Sequence, residues 1–226
     1  MKLSVLIPVY NEKNTILDVI KAVKAVKIPK EIILVDDCSK DGTREILKGV
    51  KDKEVKVFYH EVNRGKGMAI RTAIEHMTGD IAIIQDADME YDPNDYHILV
   101  EPILHGHYSV VYGSRFINNQ NNLPFTRHMV ATKILNIASN VLYNARITDE
   151  PTCYKVFKAD VLKNMKLDCE RFEFCPEVTA KVRKAGYEIY EVPIAYKPRS
   201  IKEGKKIRWT DGFQALWTLI KYRFVD

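Results

Sequence analysis

The first hundred residues alternate between two hydrophobic periods. A continuous apolar run at 3–9 (LSVLIPV) suits a buried parallel strand, and 31–37 (EIILVDD, ending in two acids), 55–60 (VKVFYH) and 80–85 (DIAIIQ) read as three further strands. Between them, 14–26, 41–50 and 65–77 carry apolar residues at helical spacing, with Asn14 or Thr15 as a candidate N-cap for the first. The second half is less regular. It predicts a strand at 108–116, a helix at 125–144, a strand at 152–158, a helix, glycine stop and strand across 175–196, and a last helix at 206–224. Trp209, Phe213, Trp217, Ile220 and Phe224 recur along that last helix every three or four residues. Core packing is the simplest reading of the recurrence, and the basic residues beside it also permit an interfacial helix on a membrane.

Strands and helices in alternation, joined by short loops, predict an α/β domain around a mainly parallel sheet with helices on both faces. No repeat, low-complexity segment or linker divides the chain, so residues 1–226 read as one domain. In such sheets ligands bind beyond the carboxyl ends of the strands. Polar residues collect at those ends: Pro8, Tyr10 and Glu12, then Asp36 and Asp37, then Asn63 and Arg64, then Asp86 and Asp88. A single aspartate there is an ordinary turn residue. Four loops converging on one edge point to a site.

The sharpest local signal is 81–93, IAIIQDADMEYDP, where Asp86, Asp88, Glu90 and Asp92 occupy alternate positions behind a buried strand. Crowded, partly desolvated carboxylates repel one another and call for a counter-cation. Oxygen ligands suit a hard divalent ion.

Composition narrows the picture. Apolar residues make up 46% and charged residues 29%, as in an ordinary soluble domain, and a net charge of +5 does not demand a nucleic-acid partner. The charge is uneven: 197–208 holds six Lys or Arg against one Glu, a solvated loop or a site for phosphate or an acidic membrane surface. Cys38, Cys153, Cys169 and Cys175 show no metal-finger or C-x-x-C spacing, so reduced thiols are expected. The first residues lack the pattern of a signal peptide, and no window is long and apolar enough to span a bilayer. A cytosolic chain, at most peripheral on a membrane, is the expectation.

Taken in order, VLIPVYNE, IILVDDCSKDGT, NRGKGMAI, DADMEYDP and GSRF resemble the family 2 glycosyltransferases of the GT-A fold. Within them the chain looks most similar to the polyprenyl-phosphate glycosyltransferases of the dolichol-phosphate mannosyltransferase type. The resemblance implies a nucleotide-sugar-binding half at 1–115 and an acceptor-binding half at 116–226. DAD would be the family's DXD motif: Asp88 would bind Mg²⁺ or Mn²⁺, with Asp86 sharing the metal or reaching the ribose, and Glu90 completing the coordination. Pro8, Tyr10 and Glu12 match the first nucleotide loop, Val35 and Ala87 match further donor-lining positions, and Asp37 matches the acid that meets the nucleobase. Arg64 and Lys66 either face the diphosphate or cap a helix. RGKG is not a Walker-type loop. Arg115 matches the arginine near the acceptor phosphate, Arg127 is a weaker match for the same task, and Arg199 and Lys205 match a loop over the donor diphosphate.

The implied reaction is inversion at the anomeric carbon by direct displacement. The donor would be GDP-mannose or a UDP-hexose and the acceptor a dolichyl or undecaprenyl phosphate at the cytosolic membrane face. A membrane-anchored partner subunit is compatible with this. A phosphate acceptor needs no general base, whereas a sugar hydroxyl does. TDEPTCYK at 148–155 stands where the polyprenyl-phosphate enzymes usually show TD followed by SGFR, which keeps a base role for Asp149 or Glu150 open. Other readings are transfer to a hydroxyl of a polysaccharide or glycolipid, a nucleotidyltransferase, and a non-catalytic sugar-nucleotide-binding module. A nucleotidyltransferase would show a glycine-rich N-terminal loop with a basic residue, which IPVYNEKN lacks. The intact set of Asp37, Asp86, Asp88, Arg115, Arg199 and Lys205 argues against the non-catalytic module.

Overall fold

The computed structural model describes residues 1–117, 121, 127–199 and 209–225, without the side chains of 127, 128 and 209. Strands β1 (Leu3–Val9), β2 (Lys30–Asp36), β3 (Val55–Tyr59), β4 (Ile81–Ile84), β5 (Val110–Ser114), β6 (Lys155–Lys158) and β7 (Ile189–Pro193) form one sheet in the order β3-β2-β1-β4-β6-β5-β7. Helices α1 (Ile16–Ala25), α2 (Thr43–Lys48), α3 (Lys66–His76), α4 (Tyr96–Leu104), α5 (Arg127–Tyr143), α6 (Ala159–Lys163), α7 (Phe174–Lys184) and α8 (Trp209–Phe224) flank it.

The continuous apolar runs are the inner strands. Every residue of β1, β2 and β4 is buried, because helices cover both faces of the sheet there. β1 pairs in parallel with β2 from Leu3↔Lys30 to Val9↔Asp36, and with β4 from Leu3↔Ile81 to Leu6↔Ile84. β3 is the half-exposed edge strand. Only β6 is reversed, antiparallel to both β4 and β5, while β7 runs parallel to β5. Six strands therefore end at one edge, and the loop that enters β6 starts from that same edge. This topology brings residues 10–12, 36–39, 60–65, 86–92, 115, 147–150 and 194–199 together.

The opposite edge is structural. There the buried Glu31 carboxylate accepts from Ser4 Oγ at 2.7 Å, Lys2 Nζ at 2.9 Å and Lys56 Nζ at 3.0 Å. Burial alone would raise its pKa, but hydrogen bonds from Thr78, Ser4, Lys2 and Lys56 outweigh it and hold the carboxyl well below the usual range.

Three local outcomes differ from the sequence reading. Helix α4 and the short α6 have no counterpart in it. YHILVEPIL is apolar on several sides and carries Pro102, so it shows no clean helical face. Thr15 is the N-cap residue of α1 but makes no side-chain cap; its hydroxyl is spent on the acidic loop, 2.7 Å from the Ala87 carbonyl. The aromatic recurrence in α8 is not core. Phe213, Trp217 and Phe224 are 68%, 64% and 83% exposed, and α8 instead buries Ala215, Leu219 and Tyr222 against Leu135, Tyr143 and Ala180. Ala215, Leu219 and Tyr222 made the inner face, and Phe213, Trp217 and Phe224 were left outside.

All four cysteines are free thiols, with Cys153 and Cys169 buried and Cys38 and Cys175 partly so. Among the described residues no helix is long and apolar enough to cross a membrane.

Candidate active site

The ends of β1 and β2 interlock first. Asn11 turns through the left-handed region (φ 50°), its N–H donates to Ser39 Oγ at 2.9 Å, and its side-chain carbonyl accepts from Lys40 N at 2.8 Å. Pro8 and Val35 lie buried within the strands, facing each other in register, and Tyr10 is half-buried just beyond. Asp36 supports the turn: it pairs with Arg44 Nε at 2.7 Å and accepts from Ser39 N at 3.3 Å.

Asp37 sits deeper than an open ligand-binding acid. Its Oδ1 accepts from Arg64 N at 2.8 Å and faces His60 Nδ1 at 2.7 Å, and its Oδ2 accepts from Gly65 N at 2.7 Å. Arg64 thus contributes its backbone, and Asn63 Nδ2 donates to the Asp37 carbonyl at 3.1 Å. Gly65 needs its freedom here, with φ at +91° and the Glu170 carbonyl crowding the place where a Cβ would stand. The first N–H groups of α3 are also spent, Gly67 N on Arg171 O and Met68 N on Glu170 O, both at 3.0 Å. RGKG is therefore a packing turn rather than a phosphate cradle.

The acidic loop after β4 holds the strongest electrostatics. Asp86 pairs with Lys66 Nζ at 2.5 Å. Burial opposes the charge on Lys66, but the Asp86 carboxylate prevails and raises the ammonium pKa above its ordinary value. Met89 occupies the left-handed region (φ 59°) and folds the chain so that Asp88 Oδ1 accepts from Glu90 N at 3.1 Å. Burial, then the charges of Asp86 and Glu90, push Asp88 up to about 7 against the pull of Arg199. Arg199 closes this cluster from beyond β7. Its two terminal nitrogens grip Glu12 at 3.0 and 2.9 Å, and Nη2 also lies 3.1 Å from Asp88 Oδ2. Its backbone N–H donates to Glu90 Oε1 at 3.0 Å.

Among the described residues no three His, Cys, Asp or Glu side chains converge as metal ligands. Asp86 is turned to Lys66, and Asp88 and Glu90 to Arg199. The donor chemistry nevertheless fits a hard divalent cation. Among the described residues, four carboxylates, Glu12, Asp86, Asp88 and Glu90, share two cations, Lys66 and Arg199, a formal excess of two negative charges.

Beyond β5, Arg115 is locked to Asp149. The Asp149 carboxylate accepts from Arg115 N at 2.9 Å and Nε at 2.7 Å on one oxygen, and from Nη2 at 2.6 Å on the other. Asp149 is fully buried. Burial disfavours the Arg115 charge, and Asp149 more than compensates, so the guanidinium pKa stands well above its ordinary value. The Tyr196 ring lies 4.9 Å beneath the guanidinium, and its hydroxyl donates to Glu90 Oε2. The half of the site around Arg115 and the acidic loop are thus joined by one tyrosine. The 147–150 loop is clamped from α5: Asn140 exchanges two hydrogen bonds with Ile147, and Asn136 Oδ1 accepts from Glu150 N at 2.7 Å. Glu191 of β7 accepts from Thr148 N at 2.7 Å and Asp149 N at 3.1 Å.

Glu150 points into the core. Burial pushes it up to about 7, opposed first by Lys155, and its Oε2 has no partner among the described residues. Lys155 is fully buried, donates to the Glu150 carbonyl at 2.6 Å, and stands 3.7 Å above the Tyr112 ring. Tyr196, Glu191, Asn136 and Lys155 had no assigned role in the sequence reading. Only the one-turn spacing of Asn136 and Asn140 on a predicted helix could have flagged any of them. Lys205 and the side chain of Arg127 lie outside the described residues.

The fold and this edge define a glycosyltransferase of the GT-A type. The profile of the family described as Glycosyl transferase family 2 matches residues 4–166, and the chain belongs to that family. It is 29% identical to the UDP-N-acetylglucosamine–dolichyl-phosphate N-acetylglucosaminyltransferase of Methanococcus voltae, over 95% of this chain and 93% of that one. It is 27% identical to the dolichol-phosphate mannosyltransferase of Pyrococcus furiosus, over 91% of this chain but 59% of that longer protein. In fold it is similar to glucosyl-3-phosphoglycerate synthase from Mycobacterium tuberculosis, solved with Mn²⁺, uridine diphosphate and phosphoglyceric acid. The TM-score is 0.74 at 21% identity, with 100% of this chain and 79% of that one covered.

Proposed function

We propose that this glycosyltransferase is metal-dependent and inverting, and moves a hexose from a nucleotide-diphosphate sugar to a polyprenyl phosphate at a membrane surface. The observation that carries this is the Arg115–Asp149 fork. Both Asp149 oxygens are committed to Arg115, so Asp149 positions a cation and offers no base. Glu150, the other candidate base, is fully buried. A site that presents a fixed arginine, with neither Asp149 nor Glu150 available as a base, suits an acceptor whose oxygen is already ionised.

In this reading Asp86 and Asp88 would hold Mg²⁺ or Mn²⁺, with Glu90 beside them, and the bound ion would offset charge on the departing diphosphate. The remaining work belongs to the chain. Asp37, tied down by residues 60–65, offers its remaining lone pair to a nucleobase N–H. Arg115 binds the acceptor phosphate with the part of its fork that Asp149 leaves, and Tyr196 keeps the guanidinium flat. Positioning and charge relief then suffice for displacement.

The surface supports membrane contact. Val130, Ile134, Ile137 and Val141 form an exposed stripe on α5, and Phe213, Trp217, Ile220 and Phe224 form another on the adjacent α8. Apolar stripes of this kind fit an interface between water and lipid. The relatives named for dolichyl phosphate support the same acceptor class, and the named UDP-sugar and mannose enzymes leave two donor types to compare.

The test is transfer of label from GDP-mannose, UDP-glucose or UDP-N-acetylglucosamine into an organic phase containing polyprenyl phosphate. Label that depends on one donor, on Mg²⁺ or Mn²⁺ and on Asp88 is the expected result. Metal-dependent donor hydrolysis without lipid label, or label passed to a free sugar, would replace this reading with a hydroxyl acceptor.

A further inference from the structure

We infer that Arg199 is the chain's own cation in the seat a divalent ion must take, so that metal binding and release of Arg199 from Glu12 and Asp88 are a single exchange. The inference rests on the metal assignment above and adds a role for Glu12, which is to dock the arginine rather than to ligate the ion.

Oxygen occupancy carries it. Glu12 receives both terminal nitrogens of Arg199 at 3.0 and 2.9 Å, the planar fork that carboxylates bind best. The same Nη2 reaches Asp88 Oδ2 at 3.1 Å, while Asp88 Oδ1 is taken by Glu90 N at 3.1 Å. Glu90 Oε1 accepts from Arg199 N at 3.0 Å, and Oε2 from the Tyr196 hydroxyl. Each Asp88 or Glu90 oxygen is thus engaged by one donor, and a divalent cation that comes to Asp88 must either take the remaining lone pairs directly beside a guanidinium or displace it. The backbone donor is fixed by the turn at Met89, whereas Arg199 is a long side chain that can swing away. Like-charge repulsion further disfavours a doubly charged ion beside a guanidinium that shares its carboxylates. Lys66 does not compete for Asp88, because its ammonium is spent on Asp86. A released Arg199 carries a full charge to the diphosphate that arrives with the ion, so the exchange also explains why one residue contacts three carboxylates before substrate binds.

The experiment is Mn²⁺ titration of the purified chain without nucleotide, followed by the free-ion electron paramagnetic resonance signal. Affinity scales with the fraction of molecules whose seat is open. If Arg199 fills the seat nine times in ten, Arg199→Gln tightens Mn²⁺ binding about tenfold. Glu12→Gln, which loosens the grip on Arg199, is expected to tighten it as well. Unchanged or weaker Mn²⁺ binding in Arg199→Gln, or weaker binding in Glu12→Gln, overturns the exchange. A melting curve without metal checks folding. Should Arg199→Gln not fold, Arg199→Lys keeps the charge and loses the fork, and affinity equal to the parent's there overturns the proposal equally. Absence of Mn²⁺ binding in every protein removes the metal assignment itself, whereas equal binding in all of them removes only the exchange.

Discussion

Asp149→Asn separates the two roles the sequence left open for Asp149. The substitution keeps the shape and removes the charge, and one of the oxygens that held Arg115 becomes an N–H facing its donors. Three hydrogen bonds from Arg115 converge on this carboxylate, and Asp149 is fully buried. Breaking such a pair by removing one partner costs about 3–5 kcal/mol. In a chain of this size that lowers Tm by roughly 6–20 °C. With a misplaced Arg115, KM for the lipid phosphate is expected to rise by about tenfold or more, a loss of at least about 1.4 kcal/mol of binding. Metal-dependent hydrolysis of the donor should persist. Replacing both partners by leucine should recover most of the stability without restoring transfer, because an apolar pair carries no desolvation penalty. Differential scanning fluorimetry and initial rates at varied acceptor concentration read both effects. An unchanged Tm and an unchanged acceptor KM, with turnover down about a thousandfold, would mean that Asp149 is a general base after all.

Glu150 gives a pH dependence with a defined sign. Its folded pKa of about 7 lies above its ordinary 4.5, so the folded chain holds the proton longer, and stability falls as pH rises from 4.5 towards 7. Glu150→Gln should flatten that slope, as urea midpoints at pH 5 and pH 8 would show; an unaltered slope would be the contrary result. Tyr196→Phe removes only the hydroxyl on Glu90 and should leave acceptor KM within about twofold, whereas Tyr196→Leu also removes the ring beneath Arg115 and should raise it severalfold. Equal effects of the two would mean that the ring does not matter. Phe213→Ser with Trp217→Ser should shift Tm little, since both side chains are exposed, and should weaken flotation with anionic vesicles by about tenfold or more. Undiminished flotation would move the lipid contact elsewhere.

The sequence disclosed most where one short stretch carries the whole physical cause. β1, β2 and β4 are buried on both faces, so their apolar runs needed no context, and the acids at their ends necessarily share an edge once the sheet is parallel. The acidic pattern of 86–92 was visible for the same reason. The pairings that decide what those acids do were not legible. Arg115 meets Asp149 34 positions away, Tyr196 meets Glu90 106 away, and Arg199 meets Glu12 187 away. Each is created by strand order, above all by the reversal of β6, which no local period encodes. The outward aromatics of α8 misled because helical spacing reports that a face exists and not which way it turns.

The membrane contact proposed for the two apolar stripes on α5 and α8 would have a kinetic consequence. If they seat the chain on a bilayer as proposed, the chain loses one dimension of search and meets its acceptor within a plane of headgroups. Its turnover would then follow the mole fraction of lipid phosphate in the vesicle and be indifferent to the bulk volume. Diluting the acceptor with inert lipid at constant total acceptor should slow the reaction, while diluting the vesicles with buffer should not.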